Sequence, residues 1–321
     1  MLTMEGMHES SAAVRPDLGT EFEQYRRELT AYCYRMLASA FDAEDAVQET
    51  FVRAWRAADR FEGRSSLRSW LYRIATNVCL DMLNGKERRA RPMDLGPAGE
   101  PIVENLRTPD VPWLQPMPDP ADTAVEKETI KLAFVGALQH LPPKQRAVLI
   151  LCEVLRWQAA EVAELLETSV ASVNSALQRA RATLEQVEMA PTSPGEVDAD
   201  LLARYVAAFE AYDMEALTAL IKEDAIQSMP PFDLWLRGRD DIFTWWFGPG
   251  IGCKGSRVVP TVWANGSPAF GQYKPAEDGG YEPWALQVLE LDADGRIAEF
   301  SFFLDTDALF PLFGLPPRLE A

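Results

Sequence analysis

The chain has 321 residues, a length that accommodates two or three domains, and 47% of them are hydrophobic, enough for a core in each. No apolar run is long enough to cross a bilayer, and residues 1–20 lack a basic start followed by an apolar stretch, so neither a membrane span nor a secretory signal is expected. Cys33, Cys79, Cys152 and Cys253 lie far apart and never form a C-x-x-C pair, which argues against a zinc site or disulfides and for free, mostly buried thiols in a reducing cytoplasm.

The net charge of −18 runs against nucleic-acid binding until it is divided along the chain. Residues 1–49 carry −6, residues 93–128 carry −6, residues 129–195 are neutral and residues 196–321 carry −12. Between Thr50 and Pro92, however, ten Lys/Arg face four Asp/Glu. Phosphate attraction acts over about a Debye length, roughly 10 Å, so the local basic patch decides contact. The acidic remainder repels DNA until another basic body compensates.

In chain order, residues 1–18 read as a frayed tail and residues 21–39 as a helix with Phe22, Tyr25, Leu29, Tyr32, Cys33, Met36 and Leu37 on one side. A short turn follows at Phe41-Asp42, with Asp42 as its cap. From Asp45 onward Ala46, Val47, Thr50, Phe51, Ala54, Trp55 and Ala58 recur at helical spacing and predict one buried stripe. Phe61-Glu62-Gly63 breaks the chain. Ser65 or Ser66 caps a further helix whose inner stripe is Leu67, Leu71, Ile74, Val78 and Met82. These helices are expected to pack as a three- or four-helix bundle. On the last helix Trp70, Arg73 and Asn77 share a side, with Arg64 and Arg68 before them and Lys86, Arg88, Arg89 and Arg91 after. Rings that stack, guanidinium groups that bind phosphate and an amide that reads base edges suit unpaired DNA bases. The plainer alternative makes Trp70 core and the arginines a solvated face.

Two motifs here, DAVQETF at residues 45–51 and FEGRSSLRSWLYRIATN at residues 61–77, resemble conserved region 2 of bacterial sigma factors of the extracytoplasmic-function type. The resemblance implies that Asp45, Gln48, Glu49 and Phe51 face the clamp helices of the largest subunit of core RNA polymerase. It also implies that Phe61, Arg64, Ser65 and Asn77 line a pocket for flipped bases of the proximal promoter element. Arg68, Trp70, Arg73, Arg88 and Arg89 complete the DNA face expected on the same helix and its basic tail.

Residues 92–123 carry eight prolines between Pro92 and Pro120, a density that forbids helix and predicts an extended linker. Within it Trp113-Leu114 is too apolar to stay in solvent, so docking is expected. Residues 124–140 read as a helix, Pro142-Pro143 interrupts, and residues 144–154 resume. Then come a helix over 157–166, a tight turn and a helix over 170–184, the order of a helix-turn-helix or of an ordinary helical hairpin. In the last helix Val173, Ala176, Leu177 and Ala180 point inward. Ser172, Ser175 and Arg179 face outward, with Gln178 and Arg181 beside them, a set that suits a major groove. LPPKQRAVL at 141–149 and VNSALQRAR at 173–181 resemble region 4 of the same family, which reads the distal promoter element. The turn has Glu167 where the family commonly has glycine; a left-handed residue other than glycine costs about 1 kcal/mol.

After a second boundary at residues 191–195, helices are expected at 198–212, 214–221 and 240–247. Strands follow at 257–263, 269–274, 284–291 and 296–304, with a hairpin turn at Asp294-Gly295. This order predicts an α+β cone with an internal pocket and resembles the SnoaL-like, nuclear-transport-factor-like fold. The whole chain is thus expected to be multidomain: a helical bundle at 20–91, a Pro-rich linker at 92–123, a helix-turn-helix domain at 124–190, and the α+β domain at 196–321. That arrangement resembles the sigma-J and sigma-G-like group of sigma factors.

Both histidines, His8 and His140, lie outside the last domain, leaving Asp224, Asp305 and Tyr273 as acid/base candidates with no recognisable pairing. The pocket expected among Trp235, Trp245, Trp246, Trp263 and Phe302 is core or a small-ligand sensor. Three readings follow: a promoter-specificity subunit regulated in cis by its last domain; a DNA-binding regulator that does not use polymerase; and a SnoaL-like enzyme or sensor fused to a DNA-binding module. The 45–51 motif argues against the second, and the absent pocket histidine against an enzyme. Core polymerase and promoter DNA are the expected partners. No cofactor or metal is expected, and the acidic last domain is expected to dock on the basic helices.

Overall fold

The protein is described here by a computed structural model covering residues 18–61, 65–119, 131–186 and 199–320, with the side chains of 18–20 and 60 excluded. The expectations for Gly63 and Arg64, for the first half of the helix at 124–140, and for the boundaries at 123, 190 and 196 lie outside the described residues.

The first domain is a four-helix bundle: α1 (Leu18–Glu23), α2 (Arg26–Leu37), α3 (Ala40–Ala57) and α4 (Leu67–Leu83). The single helix expected at 21–39 is two, broken at Gln24-Tyr25. Ala38 ends α2 in a left-handed conformation (φ 55°), and the Ser39 hydroxyl accepts from the Asp42 backbone N–H at 3.2 Å, starting α3. Asp42, expected as the cap, instead sits in the first turn and binds Arg89. Ser66 caps α4 by accepting from Ser69 N–H at 3.1 Å. The buried face of α4 is Leu71, Tyr72, Ala75, Thr76, Val78 and Cys79, while Leu67, Ile74 and Met82 are only half-buried. Polar groups enter because they are paired: the Tyr32 and Thr76 hydroxyls meet at 2.8 Å, and Thr76 also donates to Tyr72 O at 2.7 Å.

The second helical domain comprises α5 (Leu132–Gln139), α6 (Pro143–Leu149), a single π turn (Ile150–Val154), α7 (Ala159–Leu165) and α8 (Val170–Leu184). Glu167 lies in the left-handed region at φ 51°, so the turn keeps its geometry without glycine. Arg146 welds this domain to the first. Its fully buried guanidinium donates to Gln139 Oε1 (2.6 Å), Gln139 O (3.2 Å) and Leu141 O (3.1 Å), and to Met36 O on α2. Burial lowers its pKa to about 10, so it remains cationic at neutral pH among carbonyl dipoles.

The last domain has α9 (Ala199–Ala211), α10 (Met214–Leu220) and α11 (Arg239–Phe247) packed on a six-stranded sheet of order β2-β1-β6-β5-β4-β3. The strands are β1 (Ile221–Ser228), β2 (Trp235–Arg237), β3 (Arg257–Pro260), β4 (Ala269–Pro275), β5 (Tyr281–Leu291) and β6 (Ile297–Phe303), with α12 (Thr306–Leu312) closing one end. Only β1 and β6 pair in parallel; the other neighbours are antiparallel. The sequence reading lacks β1, β2 and α12. Lys222-Glu223-Asp224 hides β1, and the β1–β6 register shifts between Ile221 and Ile226.

The Pro-rich segment is not the extended linker its proline density predicts. It makes 3-10 turns at Pro92–Asp94 and Val103–Asn105 and then joins two domains. Trp113-Leu114 docks as expected: Ala90 N–H donates to Pro112 O and Leu114 N–H to Ala90 O, both at 2.9 Å, and Leu114 is buried. Farther along, Gln115 N–H donates to Ala38 O (3.0 Å), Asp119 N–H to Trp263 O (2.7 Å) and Gly266 N–H to the Asp119 carboxylate (2.8 Å). Prolines supply no N–H, yet the segment's carbonyls and remaining amides are paired on both sides. One apolar cluster runs from α2 and α3 through Leu114 and Met117 to Tyr273, Leu286, Phe303 and Phe310, while a second fills the cone.

Candidate polymerase and nucleic-acid interfaces

Helix α3 carries the first candidate surface. Asp45 and Gln48 are exposed on its outer side. Glu49 is half-buried and paired with Arg53 at 2.7 Å. Phe51 turns inward, its ring 5.8 Å from Phe22 and under the Arg26 guanidinium at 4.9 Å, so it does not share the face of Asp45 and Gln48. The outer face holds other residues that sequence reasoning did not assign. Phe41, Val52 and Trp55 are 38%, 41% and 71% exposed and extend the line of Asp45 and Gln48 at steps of three and four residues. Trp55 was expected in the core because it falls at helical spacing; in the folded chain it is the most exposed of the large apolar side chains described. A stripe of this kind marks a surface made for another protein.

Helix α4 and its flanks carry the second. The rings of Phe61 and Trp70 lie 4.8 Å apart, with Phe22 behind Trp70 at 6.4 Å, and Asn77 is exposed farther along. Ser65 is half-buried at the start of the helix. The arginines are not free. Arg68 makes a two-pronged bond to Glu28 (2.7 and 3.0 Å) and packs over Tyr72 and Trp157 at 5.1 and 5.5 Å. Arg73 reaches α7, donating to Glu164 O at 3.4 Å with the Glu164 carboxylate at 3.7 Å. Arg88 donates to the ring of His140 at 3.0 Å, and the other ring nitrogen faces Asp94 at 3.1 Å. Arg89 donates to Asp42 (2.6 Å) and Trp113 O (2.8 Å). The second helical domain therefore reaches Arg68 through Trp157, Arg73 through Glu164 and Arg88 through His140, while Asn77 stays exposed. The acidic last domain, which charge alone predicted to dock on the basic helices, meets the end of the basic tail, where Arg89 and Arg91 border Phe303 and Glu299. Among the described residues, the last domain's ion pair to the rest of the chain is Lys131–Glu290, at 3.1 Å and buried on both sides.

Helix α8 carries the third. Val173 and Ala180 are buried, Ala176 and Leu177 half-buried, and Ser172, Ser175, Gln178, Arg179 and Arg181 exposed. Ser169 caps the helix by accepting from Ser172 N–H at 3.1 Å. Arg179 donates to the Ser175 hydroxyl at 2.7 Å, which holds two prospective base-reading groups together, and Arg181 pairs with Glu153.

Inside the cone, space is taken by rings and a chain of amides. Tyr205 donates to Gln287 (2.8 Å), Gln287 to Gln272 (2.8 Å) and Gln272 to Ser256 (3.1 Å). Trp246 donates to Gln227 at 2.6 Å. Trp235, Trp245, Trp246 and Phe302 are buried, whereas Trp263 is half-buried and contributes its carbonyl to the Asp119 contact. The three acid/base candidates are employed separately. Asp224 is exposed beside Lys222 at 3.3 Å, the Tyr273 hydroxyl donates to Pro316 O at 2.9 Å, and Asp305 is exposed ahead of α12. Cys33 and Cys79 are buried and the four cysteines are free. No described helix is long and apolar enough to cross a membrane.

Comparison with known proteins agrees with this division. Residues 22–89 match Sigma-70 region 2, residues 131–184 match Sigma-70 region 4, and residues 202–300 match the SnoaL-like domain. The ECF RNA polymerase sigma factor SigG of Mycobacterium tuberculosis is 48% identical over 322 aligned positions, covering 95% of this chain and 85% of SigG. The sigma factor SigJ of the same organism is 30% identical over 206 positions, covering 64% of this chain and 62% of SigJ. The crystal structure of SigJ superposes over 93% of this chain and 100% of its own at 22% identity with a TM-score of 0.61, which shows a shared fold. The chain belongs to the extracytoplasmic-function (ECF) RNA polymerase sigma factors and carries a SnoaL-like domain at its C-terminal end.

Proposed function

We infer that the chain engages core RNA polymerase through α3 and opens promoter DNA with α4, while α8 reads the distal element and the last domain regulates these steps in cis. Asp45 and Gln48 are joined on α3 by Phe41, Val52 and Trp55, an apolar-and-polar stripe fitted to a helical partner. Phe61, Trp70 and Asn77 supply stacking and an amide beside the basic tail, the chemistry that holds unpaired bases. Ser65, Arg64, Arg68, Arg73, Arg88 and Arg89 are assigned to phosphate or pocket contacts, and Ser172, Ser175, Gln178, Arg179 and Arg181 to the major groove. The role is non-enzymatic and placed in the cytoplasm, where polymerase acts; the cone's amides are used on one another.

One observation carries the regulatory part of this reading. Of two arginines assigned to DNA, Arg73 is held by Glu164 of the second helical domain, and Arg68, bonded to Glu28 of the first, is overlaid by Trp157 of the second. Two domains that each read their own promoter element cannot do so while one masks the other. The closed arrangement is thus a resting form, braced by the Pro-rich segment and the last domain, and polymerase binding requires it to open.

Run-off transcription with core polymerase tests the assignment. The full chain should associate with core enzyme and start transcripts from its own promoters. Asn77→Ala should retain core binding and lose open-complex formation, read by permanganate reactivity of unpaired thymines. A chain that neither associates with core polymerase nor starts any transcript, or an Asn77→Ala variant that loses core affinity, overturns it.

A further inference from the structure

A cavity of about 520 Å3 opens at the junction of three parts of the chain, outside the cone. Its walls are apolar: Trp113 and Leu114 come from the Pro-rich segment, and Pro231, Phe232, Phe303 and Leu309 from the last domain. The volume is that of sites holding small organic molecules, which run from about 300 to 1,000 Å3.

Two charged side chains border it, and they differ. Arg89 is already satisfied by Asp42 at 2.6 Å and by Trp113 O at 2.8 Å. Asp305 is exposed at the mouth; its backbone carbonyl starts α12, but its carboxylate has no hydrogen bond or ion pair among the described residues. The unmatched charge of the site is therefore negative, next to aromatic rings whose faces attract cations.

We propose that this interdomain cavity binds a small lipophilic cation, an apolar ring-bearing body seated among Trp113, Phe232 and Phe303 with a protonated amine toward Asp305. Because the walls come from the Pro-rich segment and the last domain, which brace the closed form, such a ligand holds that brace together and binds the closed form more tightly than one in which the brace has parted. It therefore shifts the population toward the closed form by its differential affinity. This consequence rests on the closed arrangement being the resting form; the site itself does not.

The test uses the full chain and two fluorescent probes with the same ring and opposite charge, 1-pyrenemethylammonium and 1-pyrenecarboxylate. Anisotropy titration should show the ammonium binding roughly two- to fivefold more tightly, the upper part of the range expected of one exposed charge contact. Asp305→Asn, which preserves a good residue ahead of α12, should abolish that preference, and Phe232→Ala should weaken both probes. Equal affinity of the two probes, or a preference that survives Asp305→Asn, overturns the site. Core-polymerase association separates the two claims: the ammonium should lower it for the natural chain, and a severalfold higher concentration should be needed for the same effect on Asp305→Asn. If the charge preference is found and association does not respond, the site stands and the resting-form reading falls.

Discussion

The strongest single test of the closed arrangement is Tyr34→Phe. The Tyr34 hydroxyl is fully buried where α2, the Pro-rich segment and the last domain meet. It donates to Gln115 O at 2.9 Å and accepts from Asn265 Nδ2 at 2.8 Å. Asn265 in turn accepts from Met117 N–H at 2.9 Å and donates its own backbone N–H to Met117 O at 3.0 Å. Removing the hydroxyl preserves the ring and breaks both of its hydrogen bonds, one of which crosses to Asn265. Loss of the bond that crosses the junction costs about 0.5–1.5 kcal/mol, a factor of about 2 to 13 in the ratio of closed to open chain. Since apparent affinity scales with the competent fraction, core-polymerase binding should tighten by up to the same factor. Hydrogen exchange at the bridging amides of Met117, Asp119 and Gly266 is the direct readout. Tyr34→Phe and Asn265→Ala should accelerate exchange there, and the double variant should cost less than the two singles summed, because they remove one shared bond. Unchanged exchange at these three amides with a lowered global melting temperature would refute the reasoning: the bond would then hold α2 alone.

Three further outcomes are expected. Trp55→Ala should weaken core-polymerase association by about tenfold or more in a binding titration while leaving the melting temperature within a degree or two, because a 71% exposed ring contributes to a partner surface and little to the core. Glu167→Gly should stabilise the second helical domain by about 0.5–1 kcal/mol in urea unfolding, since glycine adopts φ 51° without the side-chain clash and returns part of that gain as chain entropy. Burial raises the Glu299 carboxyl above its ordinary 4.5, against the partly offsetting Arg91. The folded chain thus holds this proton more tightly than the unfolded chain does. The group's stabilising contribution is present below pH 4.5 and is lost as pH rises through the raised folded value. Glu299→Gln should remove that part of the pH dependence in a series of melts.

Much of the helical architecture was legible because it follows apolar spacing and capping chemistry. Helix α8 runs over the residues its pattern and Ser169 specify. The faces of helices were harder. Tyr72 and Thr76 lie inward because Tyr32 and Glu28 wait for them, and hydropathy cannot see a partner forty residues away. Trp55 errs in the opposite sense: its apolar neighbours are absent from this chain, so periodicity assigned it to a core it does not join. Arg146 reads as one more surface cation, yet it is the bolt between two domains, because its partners are carbonyl groups that every sequence contains. Proline density correctly excluded helix from most of residues 92–119 but gave no sign that the segment's amides and carbonyls are spoken for on both sides. The occupied state of Arg68 and Arg73 was likewise invisible, since Trp157 and Glu164 belong to another domain.

The junction at Asn265 bears on how such a chain can be dissected. Cutting away residues 196–321 does not yield a shorter sigma factor with its remaining parts intact. It strips the Met117 amide of its acceptor and uncovers Leu114 and Met117, both buried in the whole molecule. A truncated chain with those side chains bared invites aggregation or a new, non-native contact. Changes in transcription by a truncated protein would then report damage at the cut as much as release from control, and single-atom edits such as loss of one hydroxyl are the cleaner instrument.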